Sequence, residues 1–468
     1  MKKITIYFTV LLLAVSCNVL DQNSPNDVAD SNAITTRAGA ESALVGLYNS
    51  LQSKSYYGGY YPLMADLYSD IGTGGGYQYT VLDEISNAGV TSSNTLIENS
   101  WLAMYYSIAT ANAIINRIDL ITDATFAAED RNHIKAQALT IRALAHFDLL
   151  RMFGEHWNTS SDFGIPVVKT VQKATDVVLR SKVSESYAAI LDDLQTAAGL
   201  IRADDRSQPY INLMTIKGLL SRVYLYQGNN VLAAQFADEV IGEGTFALVD
   251  ASDIGSIYQT PYLSKESLFE LSFTVQNQSG FNPFTYLREG AFRSDVLFLA
   301  LASLNDFFAS RPGDVRAGLL DFVNNDAGIL PDGRTLKYRG EQTRDNPAFV
   351  IRVAELYLIA AEAKGLNGGG LSDLNTLRTH RGLAALTSPG DINSDDEFLN
   401  AVLDERKAEL NFEGHRMFDL ARTGKFVDVV GTAKSVTLES YQGIFPIPLQ
   451  ERIATKEAVA QNPGYSDN

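Results

Sequence analysis

The chain has 468 residues, 46% of them hydrophobic and 20% charged, with 35 Gly and 13 Pro; these globular proportions exclude a disordered, collagen-like or low-complexity protein. Its 38 basic and 55 acidic residues leave a net charge of −17, which repels nucleic acid and anionic headgroups and argues against a nucleic-acid binder. At ~150 residues per domain the length suits two to four units, or one continuous helical array.

Lys2 and Lys3 form a basic start, and an apolar run follows from Ile4 to Val15. At about a dozen residues the run is too short to span a bilayer, which takes ~20, and residues 1–16 read as a secretory signal peptide. Ser16 places a small residue directly before Cys17, the only cysteine, and a polar stretch follows. This looks like a bacterial lipobox, although Leu13 stands one place earlier than the usual leucine. Cys17 is therefore expected to be the lipidation site, with residues 17–36 as a tether. A body without a thiol excludes disulfides, thiolate catalysis and Cys-ligated zinc together.

From Arg37 onward the periodicity is mostly helical. Ala43, Leu44, Leu47 and Leu51 share one stripe, and Trp101, Met104, Tyr105, Ile108, Ala111, Ile115 and Ile118 share the next. Ile134 to Met152 and Tyr187 to Ile201 repeat the three- and four-residue steps, so each predicts a helix with one apolar face. Leu213 to Ile241 reads as a helical hairpin broken at Gly228-Asn229, with Ser221, Ala233 and Ala237 small enough for close antiparallel packing. Val350 to Lys364 and Leu371 to Arg381 form a weaker second hairpin, broken by Gly368-Gly369-Gly370. Ser267 to Val275 and Thr245 to Val249 are strand-like. The stretches near 54–96, 155–164 and 276–347 are irregular insertions, where binding surfaces usually lie.

The densest charge cluster runs from Asp395 to Phe426. Ser394 and Glu397 form a capping box. Arg406, Glu409, Glu413 and Arg416 fall at helical steps and predict a charge-matched ladder along one helix face. A carboxylate beside Arg has a lowered pKa and makes a poor general acid, so the cluster reads as structural. Asp391, Asn393 and Asp395 imitate the start of a calcium loop but lack its Gly and its closing Glu, and are better explained as a helix cap. The five histidines include no H-E-x-x-H, and neither a G-x-S-x-G nor a P-loop is present. No cofactor, metal or enzymatic activity is expected.

Aromatic residues remain. Tyr56, Tyr57, Tyr60 and Tyr61 surround Gly58-Gly59, and Tyr77 and Tyr79 follow the run Gly74-Gly75-Gly76. Trp157 lies just past a helix end; Phe284 and Tyr286 lie in an Asn- and Gly-rich stretch. A ring held in a loop can stack on the apolar face of a sugar or grip a peptide side chain. Trp157, Tyr286, Phe284, Tyr77 and Tyr79 are the expected ligand-binding residues, while Trp101 and Tyr105 read as core.

An ordered set of short motifs runs through nearly the whole chain. It begins with Cys17-Asn18-Val19-Leu20-Asp21 and Pro25, then Trp101, Tyr105, Ala111 and Asn112. Arg142-Ala143 and Arg151-Met152-Phe153-Gly154 follow, and later Arg352-Val353-Ala354-Glu355-Leu356-Tyr357-Leu358 with Ala361-Glu362-Ala363. Next come Asn375, Arg378, Arg381-Gly382-Leu383, Glu405-Arg406, Glu409-Leu410, Glu413-Gly414-His415-Arg416, and Asp419-Leu420 with Arg422. The set closes on Pro446-Ile447-Pro448 and Gln461-Asn462-Pro463-Gly464-Tyr465. In this order the motifs resemble the SusD/RagB outer-membrane lipoproteins of Bacteroidetes; the departure is residues 155–164, inserted before Ile165-Pro166.

The resemblance implies a mainly α fold: tetratricopeptide-like helical hairpins as a scaffold over residues 37–468, with long loop-rich insertions and a few short strands. It also implies a lipid anchor in the outer membrane, a cell-surface position and a SusC-like TonB-dependent transporter as partner. The expected function is capture of an oligosaccharide for import. A peptide ligand is the alternative, and a surface hydrolase the third reading. The matched motifs belong to the scaffold, so the resemblance itself assigns no ligand residues.

Overall fold

The computed structural model describes residues 34–74, 80–173, 175–204, 209–258, 263–280, 297–322, 333–338 and 345–466. The expected signal peptide (1–16) and residues 17–33 of the expected tether lie outside them, whereas Ile34 at the tether's end is buried and Thr36 caps the first helix. A row of helices carries the architecture: α1 (Arg37–Leu51), α4 (Thr95–Arg117), α5 (Ala128–Phe153), α6 (Val183–Leu200), α7 (Leu213–Gln227), α8 (Asn230–Glu243), α10 (Val353–Lys364) and α11 (Gly370–His380). Each of α4 to α7 packs on the next, α8 packs on α10 and α10 on α11. One hydrophobic cluster runs through them from Ile34 to Val459.

Local chemistry explains the element ends. Asn94 caps α4 by accepting from the Leu96 and Ile97 amides, and Asn212 caps α7 by accepting from Thr215. Gly228, at φ +84°, ends α7 in the left-handed region that side chains avoid, and Asn229 then caps α8. Ser221 fits the close approach expected of the hairpin, its hydroxyl donating to the Ala233 carbonyl at 2.8 Å. Helix α5 departs from the one-sided expectation. Thr140, Ala143, Leu144 and Phe147 are as buried as Ile141 and Ala145, because neighbours pack on it from several sides.

Three further expectations are corrected. Val350 to Arg352 do not open the expected helix: they belong to β6 (Ala348–Arg352), antiparallel to β2 (Ser267–Leu271), with Ser267 opposite Arg352 and Leu271 opposite Ala348. Both strands are buried throughout, which favours Val350 and Ile351 in a ladder over a helix start. Thr245 to Val249 forms no strand; the Val249 amide donates to the Glu266 carboxylate instead of to a neighbouring strand. The stretch 54–96 is less irregular than expected, containing α2 (Tyr60–Leu67), β1 (Gly72–Gly74) and α3 (Thr80–Ser86). Likewise the 276–347 stretch holds β3 (Phe298–Ala300), α9 (Ala302–Ala309), β4 (Leu320–Asp321) and β5 (Arg334–Thr335). Toward the C-terminus follow α12 (Asp395–Leu410), α13 (Arg416–Arg422), α14 (Phe426–Lys434) and α15 (Leu449–Ala454).

Candidate functional site

The C-terminal charge cluster is buried, and its pairing is not the local ladder its spacing predicts. Helix α12 stops at Leu410, and Phe412 (φ +62°) and Gly414 (φ +83°) turn the chain away, so Glu413 and Arg416 leave the face that carries Arg406 and Glu409. Their partners come from distant elements. Glu409 accepts from Arg352 and Arg381 at 2.9 Å and from Arg316 at 3.0 Å. Glu413 takes Arg352 at 2.8 Å and Lys337 at 2.7 Å. Glu266 binds the same Arg352 and Arg381, at 3.1 and 2.8 Å. Arg406 pairs with Asp419 and Arg416 with Asp70, both at 2.7 Å.

Burial alone would raise the Glu409 pKa, but Arg381, Arg352 and Arg316 outweigh it and hold the carboxyl well below its ordinary range. Such a group cannot donate a proton near neutral pH. Burial likewise pushes the His146 and His156 imidazoles down to about 3, leaving both neutral. Asp391 is occupied by the Thr387 amide and hydroxyl, both at 2.9 Å. Ser394 accepts from the Glu397 amide as the capping box predicts, whereas Glu397 reaches back to the Asn393 amide. Among the described residues no acidic, histidine or cysteine group is arranged to hold a metal, and no helix is long and apolar enough to cross a membrane.

The tyrosine cluster belongs to the core. Tyr56, Tyr57 and Tyr61 are buried, and their hydroxyls donate to Asp148 on α5 at 2.7, 2.9 and 2.6 Å. Trp101 and Tyr105 pack as expected: Trp101 is buried, and the Tyr105 hydroxyl donates to the Pro166 carbonyl at 2.8 Å. Trp157 is half-buried, set edge-on to His156 and beside Gly443. Two residues on, Thr159 joins Ser184, Gln227, Asn229, Asn230 and neighbours around an uncharged cleft of about 560 Å³. Tyr77, Tyr79, Phe284 and Tyr286 lie outside the described residues.

The chain that leads to those four residues is well placed. Strand β1 runs antiparallel to β3, with Gly72 opposite Ala300 and Gly74 opposite Phe298. The end that enters 75–79 and the end that leaves 281–296 therefore lie side by side at one edge of the ladder. A Cβ on Gly72 would come within 1.9 Å of the Phe298 ring, so this close approach requires glycine. At the other end of 281–296, the Gly280 amide donates to the Gly58 carbonyl at 2.6 Å.

Residues 19–225 match a SusD-like family model described as "Starch-binding associating with outer membrane", and residues 328–465 match the SusD/RagB model. The chain belongs to the SusD/RagB family. It is 27% identical to the SusD-like protein P2 of Formosa agariphila, over 99% of this chain and all of the relative. A crystal structure of a SusD superfamily protein from Bacteroides thetaiotaomicron superposes with a TM-score of 0.79 at 26% identity, covering 92% of this chain and all of that one. A laminarin-binding SusD-like protein of known structure shares the fold, with a TM-score of 0.75 at 24% identity and coverage of 92% and 100%.

SusD-family proteins bind rather than catalyse, so the hydrolase reading falls. The SusD motifs sit where the resemblance implies, in the scaffold: Arg352, Glu355, Arg381, Glu405, Glu409 and Asp419 are all buried and ion-paired. Sequence reasoning missed Glu266, Arg316 and Lys337 as members of this network, and Asp148 as the acceptor for three tyrosines. No local spacing marks them, since the partners that place them there lie 76 to 115 positions away, from Lys337–Glu413 to Glu266–Arg381.

Proposed function

We propose that this SusD-family protein captures an oligosaccharide at the cell surface and passes it to a SusC-like TonB-dependent transporter. Cys17 is the lipid anchor in this reading, residues 1–16 the removed signal peptide, 17–36 the tether and 37–468 one SusD-like domain. The observation that carries the ligand reading is the β1–β3 ladder, which sets the residues leading into 75–79 beside those that follow 281–296, two aromatic-bearing stretches. Aromatic rings stack on the apolar faces of a glycan while uncharged amides and hydroxyls satisfy its hydroxyl groups. The starch-binding description of the matched family and the laminarin-binding relative support a sugar over a peptide.

Trp157, Tyr286, Phe284, Tyr77 and Tyr79 are the proposed contacts. Alanine at a ring that anchors the ligand should cost ~2 kcal/mol or more, roughly a thirtyfold loss of affinity. Calorimetry against laminarin, other polysaccharides and a peptide digest measures it, with circular dichroism confirming the fold. Wild-type affinity in all five variants would move the site elsewhere, and binding to the peptide digest alone would replace the sugar.

The anchor has its own test. Cys17→Ala should release the protein from the membrane fraction, because stable anchoring needs the acyl chains that the thiol and new N-terminus carry. Retention in the outer membrane without incorporated fatty acid would refute the lipidated tether.

A further inference from the structure

Lys434, the last residue of α14, directs its ammonium at three backbone carbonyls. It donates to Leu67 at 2.9 Å, Gly72 at 3.1 Å and Ser86 at 2.7 Å. Leu67 and Ser86 are the final residues of α2 and α3. The last carbonyls of a helix have no partner within it and form its negative end, so a cation there satisfies the hydrogen bond and the dipole together. Gly72 opens β1. A lysine ammonium has three donors on a compact point charge, and here each goes to a different element.

Helix α14 is itself firmly seated: Phe426 and Val430 are buried, and the Phe426 ring stacks on Tyr68 at 5.4 Å, directly after α2. A second bond closes the same segment, the Gly74 amide donating to the Ser86 hydroxyl at 3.0 Å.

We infer that Lys434 is a positioning residue for the ligand face, fastening the ends of α2 and α3 and the start of β1 to α14. The stretch from Gly72 to Ser86 is thereby held at both ends, and β1 is held in register against β3. The link to ligand binding rests on the reading above that Tyr77 and Tyr79 contact the glycan; the fastening itself does not.

Lys434→Met keeps the aliphatic stem and removes all three donors. Hydrogen exchange of the intact mature protein, followed by mass spectrometry, should show amides in 68–74 and 80–90 exchanging ~10-fold faster or more. Amides of α4 to α8 should be unchanged. Lys425→Met, just before the same helix, serves as control and should exchange like wild type. Unchanged exchange in 68–74 and 80–90 overturns the inference, and so does faster exchange spread evenly over the chain, which would make Lys434 a general stabiliser. Should Lys434→Met fail to fold, Lys434→Gln retains two N–H donors and is read by the same criteria.

Affinity separates the two readings, with laminarin as the first probe and the best-binding polysaccharide of the panel as the second. Local loosening with a fall in affinity of about tenfold supports both. Local loosening with full affinity keeps the fastening and removes Tyr77 and Tyr79 from the ligand site.

Discussion

Glu409→Gln should destabilise the protein by about 3–5 kcal/mol, the usual cost of breaking a buried ion pair from one side. Glu409 is 1% exposed and holds the guanidinium groups of Arg316, Arg352 and Arg381. Glutamine keeps the shape and one acceptor oxygen but leaves three buried cations facing one another with a carboxylate removed. Replacing a surface ion pair would cost ~0–1 kcal/mol, so burial decides the size of the effect. Urea unfolding at pH 7, followed by circular dichroism, should show a lower midpoint, with ligand affinity per folded molecule unchanged. A wild-type midpoint with abolished binding would instead place Glu409 in the ligand site.

Acid should act on the neighbouring pairs in the same direction. Burial would raise the Asp419 carboxyl, but Arg406 and Arg422 outweigh it and hold it at about 2, below its ordinary 3.8. A carboxylate with a depressed folded pKa stabilises the fold above its unfolded value and loses that contribution as pH falls through the folded one. Stability from Asp419 is therefore complete above about pH 4 and falls away between 3.8 and about 2. Removing the charge in Asp419→Asn should flatten the midpoint across that window.

Asp148→Ala is the second large effect, also expected at about 3–5 kcal/mol. Asp148 is fully buried, pairs with Arg151 on the next turn of α5 and accepts three tyrosine hydroxyls. The substitution strands a buried guanidinium and three hydroxyls at once, and each unmet polar group adds its own desolvation cost. Arg151 keeps some compensation, lying between the Phe147 and Phe418 rings at 4.7 and 4.6 Å from their centres. Tyr56→Phe removes one donor from a carboxylate that retains others and should cost only ~1 kcal/mol. The contrast between these two variants in urea unfolding is the measurement. Equal, small losses would mean that the tyrosines hold Asp148 weakly and that the 56–61 turn is stabilised by packing alone.

The turn at 56–61 matters beyond stability. Its Gly58 carbonyl receives the Gly280 amide, and Tyr61 lies in α2, whose end receives Lys434. Asp148, the tyrosines and Lys434 thus form a chain of contacts from the C-terminal part of α5 to the base of the ladder.

Helical periodicity alone located α1, α4, α5, α6 and the α7–α8 hairpin, because each carries apolar residues at helical steps, and α4, α7 and α8 are bounded by residues whose cap chemistry is local: Asn94, Asn212, Gly228 and Asn229. The ordered motifs were enough to recognise a SusD scaffold, and the Arg-paired spacing of Glu409 and Glu413 was enough to read them as structural. Local reasoning failed wherever the deciding partner was remote. Val350 and Ile351 suit a helix as well as a strand until Ser267–Leu271 lies beside them. Arg406 and Glu409 sit three residues apart on a helix yet choose Asp419 and Arg352, since the turn at Phe412 and Gly414 brings other charges closer in a dry interior. Tyr56, Tyr57 and Tyr61 resemble loop aromatics in a glycine-rich stretch, and only the burial of Asp148 beneath them makes them core. The β1–β3 pairing was decided in the same way. Residues 72–74 and 298–300 are separated by more than two hundred positions, and nothing short of the folded ladder brings Gly74 opposite Phe298. Short-range patterns specify helices because the helical hydrogen bond is itself short-range; buried charges, strand pairs and loop neighbours are set by contacts that exist only once the chain has closed on itself.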